Sequence, residues 1–269
     1  MSETRSQTAS AVKIKWMATS ARFMSYLRLR RTHTILACFV TSSVLLAAFS
    51  DVDIRISRLF FENGFYLANQ GWTRLMHDAV RYFILVSMIS VVGIYVFNRL
   101  SKRSLCAIDG RKVVYLLLVL ILGAGLIVNA GLKDSFGRAR PRDIEEFGGG
   151  LAFTPAFVMS SACNSNCSFS AGDSAGAFFS LAFILASARK RGIAMAGVGF
   201  GVMVSVSRIA SGAHFFSDTV VSFFVMLIVA DALHHHMFST SPEPLGHARP
   251  LRSGMLVPAS GTSPAAQLP

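Results

Sequence analysis

Residues 113–141 read VVYLLLVLILGAGLIVNAGLKDSFGRARP, and this stretch decides the fold class. Its first twenty residues carry no charge. A helix needs about 20 such apolar residues to cross the hydrocarbon of a bilayer. Four basic residues then follow within the ten positions 133–142. The stretch therefore predicts a membrane-spanning helix that ends in a cationic turn.

Five more apolar stretches with little or no charge predict further spans, at 34–50, 82–98, 174–188, 192–207 and 215–233. The composition agrees, because 52% of the 269 residues are hydrophobic and only 15% are charged. A soluble domain carries about 25% charged residues. We therefore expect an all-α, polytopic membrane bundle of about six transmembrane helices.

Three regions follow from this pattern. Residues 1–33 form a basic N-terminal segment, and residues 34–236 form the membrane domain. The tail at 237–269 holds six of the eight prolines, and this composition predicts disorder.

The net charge of +12 would also suit a nucleic-acid binder. However, the basic residues lie in short clusters between the apolar stretches and not along one face. If six spans alternate, seventeen of the 26 Lys and Arg residues fall on one side of the membrane. Positive loops mark the cytoplasmic side, so both termini are predicted there and no nucleic-acid partner is expected.

The other nine basic residues lie on the outer side, where a cationic cluster calls for an anionic ligand. Four separate chain segments reach this side: the third span ends at Lys133, the fourth begins after Asp173, the fifth ends at Arg208 and the sixth begins after His214. The aromatic-rich segment 51–80 is expected to lie along the same interface.

The residue types on this side suit binding of a phosphate group. Lys133, Arg140 and Arg208 would neutralise phosphate oxygens, and an arginine can hold two of them at once. The backbone N–H groups of Ala171 and Gly172, at the start of a helix, would add an anion cradle.

A nucleophile is available beside these cations. His214 and Asp218 are four residues apart, so their side chains would meet on one turn of a helix. A carboxylate that holds one ring nitrogen leaves the other free to attack phosphorus.

At these positions the sequence resembles the type 2 phosphatidic acid phosphatases, a family with a three-part signature. The first part, K-x6-R-P, is matched by Lys133, Arg140 and Pro141. The third part, S-R-x5-H-x3-D, is matched by Ser207, Arg208, His214 and Asp218.

The resemblance implies a mechanism and a location. His214 would form a phosphohistidine, Asp218 would orient it, and the three cations would bind the phosphate and stabilise the transition state. No metal or other cofactor is implied. The protein would be a bacterial inner-membrane enzyme with its active site facing the periplasm.

The second part of the signature is usually P-S-G-H, and here it reads Ser170-Ala171-Gly172-Asp173. Asp173 would then take the place of the histidine that protonates the leaving group. A bound phosphate and burial would raise the pKa of Asp173 and let it act as a general acid. Alternatively, Asp173 would bind a group on the substrate.

An acidic residue in this part resembles family members that act on lipid A, so a lipid A phosphate is the favoured substrate. Undecaprenyl diphosphate and phosphatidylglycerol phosphate are alternatives, and so is transfer of the phosphate to another lipid. Because the serine and histidine positions of the second part are altered, a non-catalytic lipid-phosphate binder is a further alternative. The oligomeric state is left open.

Cys163 and Cys167 are predicted to form a disulfide. Both fall in the loop between the third and fourth spans, on the side of the membrane where the compartment permits disulfides.

Overall fold

The computed structural model of the chain describes residues 30–187 and 191–239, and within these ranges it is helical, with isolated β-bridges but no strand. The helices, numbered in chain order, are α1 (Arg30–Ala48), α2 (Asp51–Arg58), α3 (Gly71–Ser101), α4 (Gly110–Lys133), α5 (Gly172–Ala186), α6 (Arg191–Ala210) and α7 (Phe216–Ser239).

Five of these helices, α1, α3, α4, α6 and α7, are long and apolar enough to cross a membrane. Helix α5 is apolar but shorter. Its 15 residues span about 22 Å at 1.5 Å per residue, less than the thickness of a hydrocarbon core. The predicted all-helical membrane bundle is confirmed, with five full-length spans and one short helix instead of six similar ones.

Helix α3 begins well before the predicted span at 82–98. It starts at Gly71 and includes Arg74, His77 and Arg81. Hydropathy places a boundary where charged residues occur, whereas a helix continues wherever its backbone hydrogen bonds continue. The first two turns of α3 therefore carry polar side chains into the region predicted to be interfacial.

Helix α4 changes its winding along its length. The N-terminal part is α-helical, and the part from Val119 to Lys133 is wound as a π-helix. Such winding is rare and frequently occurs at functional sites. In this part Asn129 donates a hydrogen bond to the carbonyl of Ala124 at 2.7 Å. It also lies against the first residue of α5.

Helix α5 is the centre of the bundle, and it contacts α3, α4, α6 and α7. Ser174, Phe178 and the residues between them are buried. A Cβ atom on Gly201 of α6 would lie 2.2 Å from the ring of Phe178, so only glycine fits there. Small residues at helix crossings allow the close contact on which association in lipid depends.

Helix α1 lies at the edge of the bundle, and only 6% of its most apolar window is buried. Asp231 of α7 holds it, through Arg31 and Thr32 at 2.8 Å each. The rings of Phe39 and Phe224 add a contact with centroids 5.5 Å apart.

Residues 134–171, called here the cap, cover one end of the bundle. Ala139, Ile144 and Phe147 of the cap form a buried cluster with Phe215. The rings of Phe61 and Phe65, from the loop after α2, pack against Phe147 in tilted orientations. The cap thus packs against the turn before α7 and the loop after α2, and this end of the bundle is called the site end.

The predictions for the basic segment 1–33 and for the tail 237–269 fall mostly outside the described residues. The boundaries of these regions stay predictions.

Candidate active site

A short turn between α6 and α7 positions His214. Helix α6 ends at Ala210, and Gly212 adopts a φ of +66°, which glycine reaches without strain. The carbonyl of Arg208 accepts hydrogen bonds from the amides of Ala213 and His214. The turn fixes the backbone of His214 against the end of α6.

The imidazole of His214 is almost fully buried, at 2% exposure. Its Nδ1 lies 2.8 Å from the carbonyl oxygen of Ser168 in the cap. A carbonyl only accepts hydrogen bonds, so Nδ1 carries the proton and Nε2 keeps its lone pair. Burial lowers the pKa of His214 below its usual range, and the opposing effect of Asp218 does not outweigh it. The ring is therefore neutral near pH 7.

Asp218 contacts His214 in a different way from the one the spacing predicts. Its Oδ2 lies 3.7 Å from Nδ1 of His214, too far for a hydrogen bond. Helix α7 begins at Phe216, so His214 precedes the helix and the two residues do not share a helical turn. Ser168 links them instead, because its hydroxyl donates to Asp218 at 2.6 Å while its carbonyl accepts from His214.

Asp218 belongs to a buried network centred on Arg138. Arg138 donates to Asp218 at 2.7 Å and to Asp53 of α2 at 2.8 Å, and all three side chains are at most 2% exposed. The guanidinium also lies 4.2 Å from the ring centroid of Phe215. Arg138 belongs to the basic cluster at 133–142, but the structure shows it enclosed by two carboxylates.

Sequence reasoning misses Asp53 entirely. Its carboxylate accepts hydrogen bonds from Arg138 and from the backbone amide of Ser217, the latter at 2.8 Å. Burial raises the pKa of Asp53, and the attraction of Arg138 does not cancel this effect. No spacing in a single sequence pairs residue 53 with residues 138 and 217.

Arg208 and Asp173 form the second part of the site. Nε of Arg208 lies 3.1 Å from Oδ2 of Asp173. The N–H does not point at that oxygen, so this buried donor makes no hydrogen bond within the described structure. An ionic contact with an unused donor is well suited to a ligand oxygen that arrives later.

Asp173 also accepts a hydrogen bond from Nδ1 of His77 in α3, at 2.8 Å. Burial acts to raise the pKa of Asp173, but Arg208 and His77 outweigh it, and this pKa lies below its usual range. The sequence predicts the opposite direction. The predicted direction is different because nothing in the sequence indicates that His77, 96 positions earlier, contacts this carboxylate.

A polar cavity of about 280 Å³ lies beside this pair. It is lined by Ala68, Thr73, Arg74, His77, Asp78, Arg208 and Ser211. The cavity brings Arg208 and His77 to one space that a ligand can enter.

Arg140 approaches from the cap. Two of its nitrogens donate to the carbonyl of Asn166, at 2.7 and 3.2 Å. Burial lowers the pKa of Arg140, and the positive charges of Arg142 and Arg208 lower it further. Like charges held this close favour a bound anion. Lys133 is half-buried at the last position of α4, the helix that leads into the cap.

The predicted backbone cradle is only partly available. The amide of Ala171 lies 3.5 Å from the carbonyl of Asp218, so it points towards α7. The amides of Gly172 and Asp173 belong to the first turn of α5, where the helix supplies no partner. A Cβ on Gly172 would lie 2.6 Å from Oδ1 of Asn129, so this glycine permits the contact between α4 and α5.

A disulfide joins Cys163 and Cys167, with Cα atoms 5.6 Å apart. The bridge encloses Asn166, whose carbonyl holds Arg140, and it immediately precedes Ser168, whose carbonyl holds His214. The bond therefore fixes the chain segment that positions both functional side chains.

Comparison with known proteins gives consistent results. The model of the PAP2 superfamily matches residues 113–241. A lipid A 4'-phosphatase of Francisella tularensis subsp. novicida is 34% identical over 205 residues, which cover 71% of this chain and 89% of that protein. A lipid A 4'-phosphatase of Rhizobium etli is 29% identical over 231 residues, covering 76% and 89% of the two chains. No solved structure matches the chain significantly.

Proposed function

This chain belongs to the PAP2 superfamily, and on that basis we propose that it removes a phosphate from lipid A through a phosphohistidine formed on His214. It is a lipid phosphatase, that is, a phosphoric monoester hydrolase of the PAP2 type. The proposal concerns the substrate, the mechanism and the face of the membrane.

The state of His214 is the observation that carries the mechanism. Its Nδ1 is occupied by the Ser168 carbonyl at 2.8 Å, and burial keeps the ring neutral. Nε2 is then an unprotonated nucleophile whose direction is fixed before substrate arrives. Attack on phosphorus would place positive charge on the ring, and Asp218 at 3.7 Å would balance it.

The cations supply the phosphate site. Arg208 brings a buried donor without a hydrogen-bond partner, and Arg140 is close enough for the two charges to repel. In phosphoryl transfer, negative charge spreads over three equatorial oxygens, and fixed positive groups stabilise it. Lys133 and the first amides of α5 complete this set in the proposal.

Lipid A is the proposed substrate because two lines of reasoning agree. The relatives from Francisella and Rhizobium carry the name lipid A 4'-phosphatase. In addition, Asp173 is an acidic residue in the second signature part, and in this feature the chain resembles family members that act on lipid A. We therefore propose the phosphate at the 4' position as the one removed.

The site end is proposed to face the periplasm. Seventeen of the 26 Lys and Arg residues lie on the opposite side if the helices alternate, and basic loops remain in the cytoplasm. Labelling with a membrane-impermeant maleimide tests this topology. In a background without free cysteines, Ser135→Cys should react in intact spheroplasts and Ser101→Cys only after lysis. Reaction of both residues from the same side would contradict the proposal.

The purified enzyme tests the chemistry. Wild-type protein should convert bis-phosphorylated lipid A to a species that lacks one phosphate, detected by mass spectrometry, and His214→Asn should not. His33→Gln, which removes an exposed imidazole of α1, should retain full activity. A folded wild-type protein that binds lipid A but releases no phosphate would instead support the non-catalytic binder.

A further inference from the structure

The leaving group poses a separate chemical problem. Cleaving a sugar phosphate expels an alkoxide, which is a poor leaving group unless a proton reaches its oxygen. The obvious donor from the sequence, Asp173, is paired with Arg208 at 3.1 Å and accepts a hydrogen bond from His77. Because the pKa of Asp173 lies below its usual range, this carboxyl is ionised at neutral pH and has no proton to give.

His77 occupies the place from which a proton can be given. One ring nitrogen, Nδ1, is held by Oδ2 of Asp173 at 2.8 Å, which fixes the orientation of the ring. The residue lines the same polar cavity as Arg208. Imidazole is the side chain that most often acts as a general acid or base, and the ring nitrogen opposite the carboxylate is the one left for a ligand.

We propose that His77, held in place by Asp173, is the general acid and base of this enzyme. The inference rests on the proposed function, because it needs a phosphohistidine on His214. Asp173 is then a positioning residue, and the histidine that the second signature part lacks is supplied by α3. The donor has moved from one helix to another while the chemistry is retained.

The two steps balance as follows. In the first, the bond between Nε2 of His214 and phosphorus forms and the bond between phosphorus and the sugar oxygen breaks, while Nε2 of His77 gives its proton to that oxygen. In the second, a water oxygen bonds to phosphorus and the N–P bond breaks. The proton of the water goes to His77, which restores the starting state and releases inorganic phosphate.

Besides His77 and Arg208, two charged side chains line the cavity, but neither fits this role as well. Asp78 and Arg74 line it, and neither is tied to Arg208 through a shared carboxylate within the described structure. Arginine does not release its proton in proteins. The bridge from His77 through Asp173 to Arg208 is what places this imidazole beside the phosphate site.

Substrates with different leaving groups test the inference. An aryl phosphate releases a phenolate that needs no proton, whereas lipid A releases an alkoxide. His77→Asn keeps a donor for Asp173, because the asparagine amide takes the place of Nδ1, but it cannot transfer a proton. The variant should lose about 10²- to 10⁴-fold of its kcat on lipid A, the usual contribution of general acid catalysis.

With the aryl phosphate, His77→Asn should still release one equivalent of phenol in a rapid burst and then stall. Phosphate should accumulate on His214, since the base that activates water is missing. His33→Gln serves as the matched control and should turn over both substrates at the wild-type rate.

The possible outcomes separate the two proposals. If wild type never carries phosphate on His214, the proposed function fails and this inference fails with it. If wild type is labelled but His77→Asn loses the aryl burst as strongly as the lipid A activity, His77 has only a structural role. Unchanged lipid A turnover in the variant would also overturn the inference.

Discussion

Replacing Asp53 by alanine tests whether the buried network on Arg138 holds the active site together. The Asp53 side chain is 2% exposed and neutralises Arg138 at 2.8 Å together with Asp218 at 2.7 Å. Removing one partner of a buried ion pair costs about 3–5 kcal/mol. Arg138 keeps its ion pair with Asp218 in this variant, so the lower end of that range applies. The amide of Ser217 would also lose its acceptor, which adds about 1–3 kcal/mol. These terms overlap, so we expect a loss near the lower sum, about 4 kcal/mol.

Asp53→Asn should cost less than Asp53→Ala, because the amide oxygen still accepts from Ser217, although the ion pair with Arg138 is lost in both variants. The pKa of Asp53 is raised in the folded protein, so the folded state binds a proton more readily than the unfolded chain. Protonation of Asp53 therefore stabilises the fold at low pH. This contribution declines as the pH rises from the ordinary aspartate value of 3.8 through the folded pKa. In Asp53→Asn that part of the pH dependence should be absent.

The assay is thermal unfolding of the purified protein in detergent, with lipid A turnover measured in parallel. Asp51→Ala is the matched control, since it lies in the same helix and pairs with Arg55. The Asp51 and Arg55 side chains are 52% and 78% exposed. Exposed pairs are worth about 0–1 kcal/mol, so this variant should unfold close to wild type. Equal unfolding temperatures for Asp53→Ala and Asp51→Ala would refute the argument that the network is essential.

Three further predictions follow from the site. The rate of phosphoenzyme formation from an aryl phosphate should fall only below pH 6.5, because burial lowers the pKa of His214. The positive charge of Arg140 also lowers this pKa, so Arg140→Gln should move the fall in rate to higher pH. An unchanged pH profile in this variant would show that Arg140 is not part of the site. Cys163→Ser, or reduction of the wild type, should lower kcat/KM by up to about 100-fold, because the cap is then misplaced. Replacing the exposed free cysteines, Cys38 and Cys106, should leave kcat/KM unchanged. Equal effects of the two replacements would contradict this role of the disulfide. Gly172→Ala should lower the free energy of unfolding by about 1–3 kcal/mol, because the new methyl group clashes with Asn129. The double variant Gly172→Ala/Asn129→Ala should recover part of this loss. No recovery would mean that the clash is not the cause.

The sequence predicts those parts of the fold that follow from the composition of long segments. A run of twenty uncharged residues such as 113–132 has few alternatives to a membrane span, so the bundle follows from hydropathy. The beginning of α3 at Gly71 does not follow, because its first turns carry charged residues that serve the cavity. A hydropathy window registers those residues only as the end of a span.

The site divides in the same way. His214 and Arg208 are close in sequence, one in the turn after α6 and the other in the last turn of that helix, so their spacing indicates their chemistry. His77 and Asp53 reach the site from α3 and α2, and nothing local to either residue records the partner that it meets. The spacing of His214 and Asp218 does not give their contact either, since helix α7 begins two residues after the histidine.

The polar groups at the site end form two sets with different physical roles. Arg138, Asp53 and Asp218 are at most 2% exposed and satisfy one another, so no phosphate can reach them without breaking pairs that cost several kcal/mol. Arg208, Asp173 and His77 are 16–33% exposed in their side chains and retain an unused donor. The first set fixes the orientation of His214 through Ser168, and the second set is the one that contacts the substrate. Substitutions in the first set should therefore lower stability and activity together, whereas those in the second should change kcat, leaving-group preference or the pH profile while the unfolding temperature is maintained.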